Sequence, residues 1–201
     1  MGVLSDTEIG NLALAKLGVA RVQAFTDDSK AARALTVQYA ARRDEELRAH
    51  LWNFAMKRAE LSADVAAPAF GFAKAYTLPG DCLRLVEVGP YNMVTQLADY
   101  RTGGDAPFSV EGGKILCDLS APLRVRYVAQ VTSVSAYDPS FVEALACRLA
   151  AELAEELTGS ESKQTLMWQR YKLAVKEARR LDAIENPADV NPDDSWVLGR
   201  L

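Results

Sequence analysis

The strongest constraint on this chain is a change of period. Up to about Glu60, and again from Asp138, apolar residues recur at helical spacing. Between about Glu60 and Tyr137 they alternate instead, with punctuation at Pro68, Gly71, Pro79-Gly80, Gly89-Pro90, Gly103-Gly104, Pro107, Gly112-Gly113 and Pro122. Period two belongs to strands and 3.6 to helices, so the sequence reads as helices at both ends around a β-rich middle.

The helical ends carry their own start and stop signals. Ser5-Asp6-Thr7-Glu8 is a capping box, Ile9, Leu12, Ala13 and Leu17 form the apolar stripe behind it, and Gly18 is placed to end the helix. A second start stands at Asp28 or Ser29, and neither Pro nor Gly interrupts the next two dozen residues. Tyr39, Leu47, Leu51 and Phe54 form its stripe, which predicts one long helix with a dry face. Arg42, Arg43, Asp44, Glu45, Glu46 and Arg48 read as its wet face.

In the middle, Leu83-Arg84-Leu85-Val86-Glu87-Val88 and Leu123-Arg124-Val125-Arg126-Tyr127-Val128 alternate as strands with one solvated face do. Phe108 to Cys117, turning at Gly112-Gly113, predicts a hairpin, because two glycines supply the positive φ of a primed turn. Asp138-Pro139 then opens a third helix, with Val142, Leu145, Leu149 and Leu153 inward, and Thr158-Gly159 stops it. A fourth restarts at Ser160 and carries Met167, Tyr171, Ala174, Ala178 and Leu181. The short connection predicts an antiparallel helical hairpin.

The fold class that follows is α+β: a four-helix bundle built from N- and C-terminal helices, an inserted antiparallel β-rich subdomain and an extended C-terminal tail. The expected divisions are 1–59 for the first helices, 60–137 for the insertion, 138–185 for the hairpin and 186–201 for the tail. The tail contains two prolines and no periodicity, and cannot offset its ordering entropy by itself. Its apolar tip, Trp196, Val197, Leu198 and Leu201, either docks back on its own domain or inserts into another chain. The reach of the leash favours another chain and makes those four residues the expected docking anchors.

Charge separates the same regions. Residues 182–201 hold Asp182, Glu185, Asp189, Asp193 and Asp194 against Arg200, which accounts for the whole net charge of -4 and leaves a neutral body. Tight duplex binding needs clustered Lys and Arg, so direct high-affinity DNA binding is not expected. Cys82, Cys117 and Cys147 are odd in number and widely spaced, which argues against a disulfide framework or zinc site. The beginning of the chain has no signal-peptide pattern and no run long enough to span a membrane, so a soluble protein made in the cytoplasm is expected.

Catalytic, cofactor and metal sites are not expected. His50, the only histidine, reads as a packing or helix-terminal residue. Glu-x-x-His is absent, and the glycine pairs lack the following Lys-Ser or Lys-Thr of a phosphate cradle. Asp99, Asp105 and Asp118 are candidates for a hydrolase, with nothing in the sequence to pair them. Glu152, Glu155, Glu156 and Glu161 read as solvated faces.

Four stretches carry a resemblance: Glu8-Ile9-Gly10-Asn11-Leu12-Ala13-Leu14-Ala15-Lys16-Leu17-Gly18, Asp28-Ser29-Lys30-Ala31-Ala32-Arg33, Tyr39-Ala40-Ala41-Arg42-Arg43-Asp44, and His50-Leu51-Trp52-Asn53-Phe54-Ala55. With Tyr76-Thr77-Leu78-Pro79-Gly80-Asp81-Cys82-Leu83-Arg84, they make the first 85 or so residues resemble the head-to-tail adaptors of short-tailed bacteriophages, also called tail tubular protein A or gatekeeper proteins. The resemblance implies a non-enzymatic homo-oligomer, commonly a dodecameric ring in the virion, beneath the portal protein and above the tail nozzle protein, with DNA passing through its centre. It implies assembly in the host cytoplasm and a tail that reaches adjacent subunits or the portal. Trp52 and Phe54 are then expected at the joint between the helices and the insertion. The alternatives are a tail-associated hydrolase using the insertion's carboxylates, and a helical interaction module unrelated to virions.

Overall fold

The computed structural model describes residues 5–93 and 107–185. Its elements are α1 (Asp6–Leu17), α2 (Lys30–Ala49), β1 (Met56–Leu61), β2 (Lys74–Thr77), β3 (Cys82–Val88), β4 (Tyr91–Asn92), β5 (Phe108–Glu111), β6 (Lys114–Cys117), β7 (Leu123–Ala129), α3 (Pro139–Thr158) and α4 (Glu161–Glu185). Four α helices and two antiparallel sheets make this an α+β protein. The strands begin at Met56, a few residues before the change of period at Glu60.

The caps read from the sequence are present. Ser5 Oγ accepts from Glu8 N at 3.2 Å while Ser5 N donates to Glu8 Oε2 at 2.7 Å. Gly18 ends α1 at φ 72°, where a side chain would be strained. Ser29 rather than Asp28 caps α2, accepting from Ala32 N at 3.1 Å; Asp28 instead pairs with Arg33. Asp138 caps α3 with Pro139 in its first turn, and Gly159 closes it. Gly10 has a packing reason: a Cβ there would lie 2.9 Å from the Phe25 ring and 3.0 Å from Leu35, so its absence lets α1 come close to α2.

α2 is shorter than expected. It stops at Ala49, His50 is extended at φ -139° and ψ 162°, and Asn53–Ala55 form a single 3-10 turn. The cause is Trp52. Its indole Nε1 donates to the Glu46 carbonyl at 2.8 Å, satisfying one of the orphan acceptors of the last helical turn, while the ring is wholly buried. Trp52 meets Phe141 edge-on with centroids 5.1 Å apart and stacks near Phe54 at 6.0 Å; Phe54 and Tyr137 pack on Phe141 in turn. An aromatic cluster therefore stands where α2 passes into β1 and where β7 passes into α3.

α3 touches each of the other helices. Its inward residues Phe141, Leu145, Leu149 and Leu153 are fully buried, and Ala144, Ala146, Ala150, Ala151 and Ala154 let neighbours approach on several sides. The strands form one sheet in the order β1-β7-β3-β4 and another in the order β2-β6-β5. Tyr76, Ile115 and Cys117 from the second share a core with Leu85, Val88, Leu123, Val125 and Tyr127 from the first. The Phe108 to Cys117 hairpin pairs Glu111 with Lys114 around Gly112-Gly113, at φ 56° and 77°. At the other end, Val86 and Val128 belong to the helical core. Arg48 donates to the Leu83 carbonyl, and Gln130 Nε2 to Asp44 Oδ2 at 2.7 Å, fixing the four-stranded sheet to α2.

Candidate docking site and the clamps of α4

The expected anchors Trp196, Val197, Leu198 and Leu201 lie outside the described residues. The helix that leads to them is described. α4 buries only Met167, Val175, Ala178 and Asp182, while Leu166, Leu173, Leu181 and Ile184 are 45%, 70%, 40% and 66% exposed. At about 100° per residue, Leu166, Leu173 and Ile184 fall within roughly 20° of one line down the helix, and Leu181 borders it. Leu181, expected to face inward, thus belongs to the outer side.

Two polar clamps hold α4 to the end of α2. In the first, Tyr171 donates its hydroxyl to Glu46 Oε1 at 2.5 Å, and Arg148 of α3 lies 3.9 Å from the same oxygen. The Arg148 guanidinium rests over the rings of Trp168 and Tyr171, 4.8 and 5.3 Å from their centroids, and bonds Glu152 at 2.9 Å. Glu46 is 3% exposed, which corrects its assignment to the wet face. Burial pushes its pKa up, with the Tyr171 hydrogen bond and Arg148 opposing, and lifts the Tyr171 hydroxyl to about 12. Among the described residues, Glu46 Oε2 and the nearby Arg179 Nε have no hydrogen-bond partner.

In the second clamp, Asp182 Oδ2 lies 3.1 Å from His50 Nε2, Asp182 Oδ1 accepts from Asn53 N at 2.9 Å, and Asn53 Nδ2 donates to the Asp182 carbonyl at 2.8 Å. Asp182, counted with the acidic tail, is instead 9% exposed and structural. Burial lowers the His50 pKa, and the Asp182 carboxylate pulls it back upward. With its Nε2 turned to Asp182, the histidine faces a carboxylate rather than a nucleophile.

Of the other carboxylate candidates, Asp118 and Glu152 have structural partners. Asp118 Oδ1 accepts from Ala73 N at 2.7 Å, and Asp99 and Asp105 lie outside the described residues. Glu152 is ion-paired and three-quarters buried. The thiols of Cys82 and Cys117 are pushed up by burial, and that of Cys147 to about 11, which disfavours the thiolate a nucleophile needs. Among the described residues, no group of three His, Cys, Asp or Glu side chains is placed to hold a metal ion, and no helix is long and apolar enough to cross a membrane.

The solvated end of the four-stranded sheet forms an open groove of about 460 Å³ lined by Arg58, Glu60, Glu87, Arg124 and Arg126. Arg124–Glu60 and Arg126–Glu87 contacts of 3.0 Å neutralise most of it.

Residue type hid the clamp residues, but position gave a signal. The clamp's Glu46 stands seven residues after Tyr39, on its buried stripe, and so does Arg43, four after it; both are buried, Arg43 bonding Asp44 at 2.8 Å, which corrects its assignment to the wet face as well. No protein-family model matches this chain, and no curated protein sequence matches it.

Proposed function

We propose that this protein is a structural connector of a short-tailed bacteriophage: a non-enzymatic adaptor whose copies form a ring between the portal protein and the tail nozzle protein while DNA passes through. In this reading the four helices act as one bundle, the strands form its inserted subdomain, and residues 186–201 are the docking segment. The observation that carries it is the second clamp. The His50 to Ala55 stretch, one of those that carry the resemblance to the adaptors, is where Asp182 fastens the last turns of α4. The docking segment therefore departs from a fixed point on a rigid body, as a part that reaches for a neighbour requires. With Asp182 and Glu185 counted in α4, the body is slightly negative and far from basic, which suits DNA that must slide past without being held.

The test is the native mass of the full chain alone and mixed with portal rings encoded in the same genome. The expected result is a stoichiometric ring on the portal, lost when residues 189–201 are deleted. Undiminished attachment of the deleted chain would remove the docking role, and no attachment of the full chain would remove the connector reading.

A further inference from the structure

We infer that residues 186–201 fold back in cis along the outer face of α4 and seat Trp196, Val197 and Leu198 on Leu166 and Leu173. Of nine large apolar side chains exposed among the described residues, four lie on α4, so this one helix presents a surface rather than scattered contacts. Its inner side is taken by α3 and the clamps, which leaves the stripe free.

Length matches the stripe. From Glu185 back to Leu173 is about 18 Å of helix, and back to Leu166 about 28 Å. Eleven residue steps lead from Glu185 to Trp196, at most roughly 36–40 Å when extended, and a turn over the first two leaves about 30 Å to run back along the helix. A segment turning back at Asn186-Pro187 thus lays Trp196 beside this pair of leucines and reaches little farther.

Charge agrees with that direction. Asp189, Asp193 and Asp194 would run past Lys176 and Arg170, which flank the stripe, are exposed, and have no ion-pair partner among the described residues. Arg180 is already paired with Glu177 at 2.6 Å. A tether of this length gives an effective concentration in the millimolar range, so a weak contact forms in cis before a second chain competes.

The free protein then covers its apolar tip and its apolar stripe with each other, and a partner that takes the tip uncovers α4. That release step rests on the connector reading; the cis contact does not.

Amide hydrogen exchange of residues 194–201 in the full chain, at two protein concentrations, tests the contact. Exchange slowed about fivefold or more relative to the same segment as a free peptide, independent of concentration, is expected. The double substitution Leu166→Asp with Leu173→Asp should restore the peptide rate. The double substitution Val197→Asp with Leu198→Asp should do the same without altering the helix. Peptide-like exchange in the unaltered chain, or protection that survives both double variants, overturns the proposal. Protection that grows with concentration overturns it in favour of a second copy. Portal attachment is measured separately, so either reading can fail alone.

Discussion

α3 and α4 are the two arms of one hairpin, yet they are held by different physics. α3 is seated mainly by apolar packing, with eleven of its 20 residues buried, and its ion pairs at Glu143, Arg148 and Glu152 lie at the margins of that core. α4 is longer, at 25 residues, but buries four, one of them the carboxylate of Asp182. Apolar contact is non-directional and tolerates rearrangement, whereas Glu46–Tyr171 and His50–Asp182–Asn53 fix rotation and register. The helix whose far side remains available is thus the one located by hydrogen bonds.

The sharpest test of this contrast is Leu149→Ala in α3, where the side chain is fully buried. Urea unfolding should register a loss of about 3 kcal/mol from transfer and cavity terms together. Asp182→Ala should come next, at about 2 kcal/mol, because Asn53 N and the His50 ring lose that acceptor. Hydrogen exchange should then quicken in the last turns of α4 while α3 stays protected. If α3 loosens equally, the two helices are not fastened independently. Tyr171→Phe should cost about 1.5 kcal/mol, since the hydroxyl bonds a buried carboxyl group.

A smaller effect is a pH slope. Folded His50 has a lowered pKa, so the unfolded chain binds its proton more readily. Its contribution to stability is complete above the ordinary histidine value near ~6.5 and declines as pH falls below it. Glu46, raised by burial, works in the opposite sense: its contribution is complete below the ordinary glutamate value and is lost as pH rises through the folded one. The two slopes oppose each other, so melting curves of His50→Gln should be compared with the unaltered chain between pH 5 and 8. The His50 part is identified by a decline toward low pH that the variant lacks. The least effect is expected from Leu173→Ala, within about 0.5 kcal/mol because the side chain is 70% exposed; a loss as large as that of Leu149→Ala would abolish the contrast.

The local architecture was legible in the residues. Ser5 with Glu8, Ser29, Asp138-Pro139, Gly18 and Gly159 act through backbone groups within a few positions, and Gly112-Gly113 sets its hairpin by φ alone, so these elements follow from neighbouring residues. Helical and strand periods likewise separated the ends from the middle. The same rules extended α2 through Phe54, because nothing nearby opposes a helix there. The end at Ala49 depends on Trp52 finding Phe141, almost ninety residues later.

Burial of charge was also decided at a distance. Glu46 is enclosed by Tyr171, 125 residues away, and Asp182 meets His50 across 132. No propensity or spacing encodes such a partner; only the folded chain brings an acid to a hydroxyl, a guanidinium or an imidazole that offsets its desolvation. The sequence by itself therefore determined the elements, their caps and the change of period between them. Tertiary structure alone decided which partners made clamps of Glu46 and Asp182 and that the stripe of Leu166, Leu173 and Ile184 faces outward, because burial depends on what packs against each face.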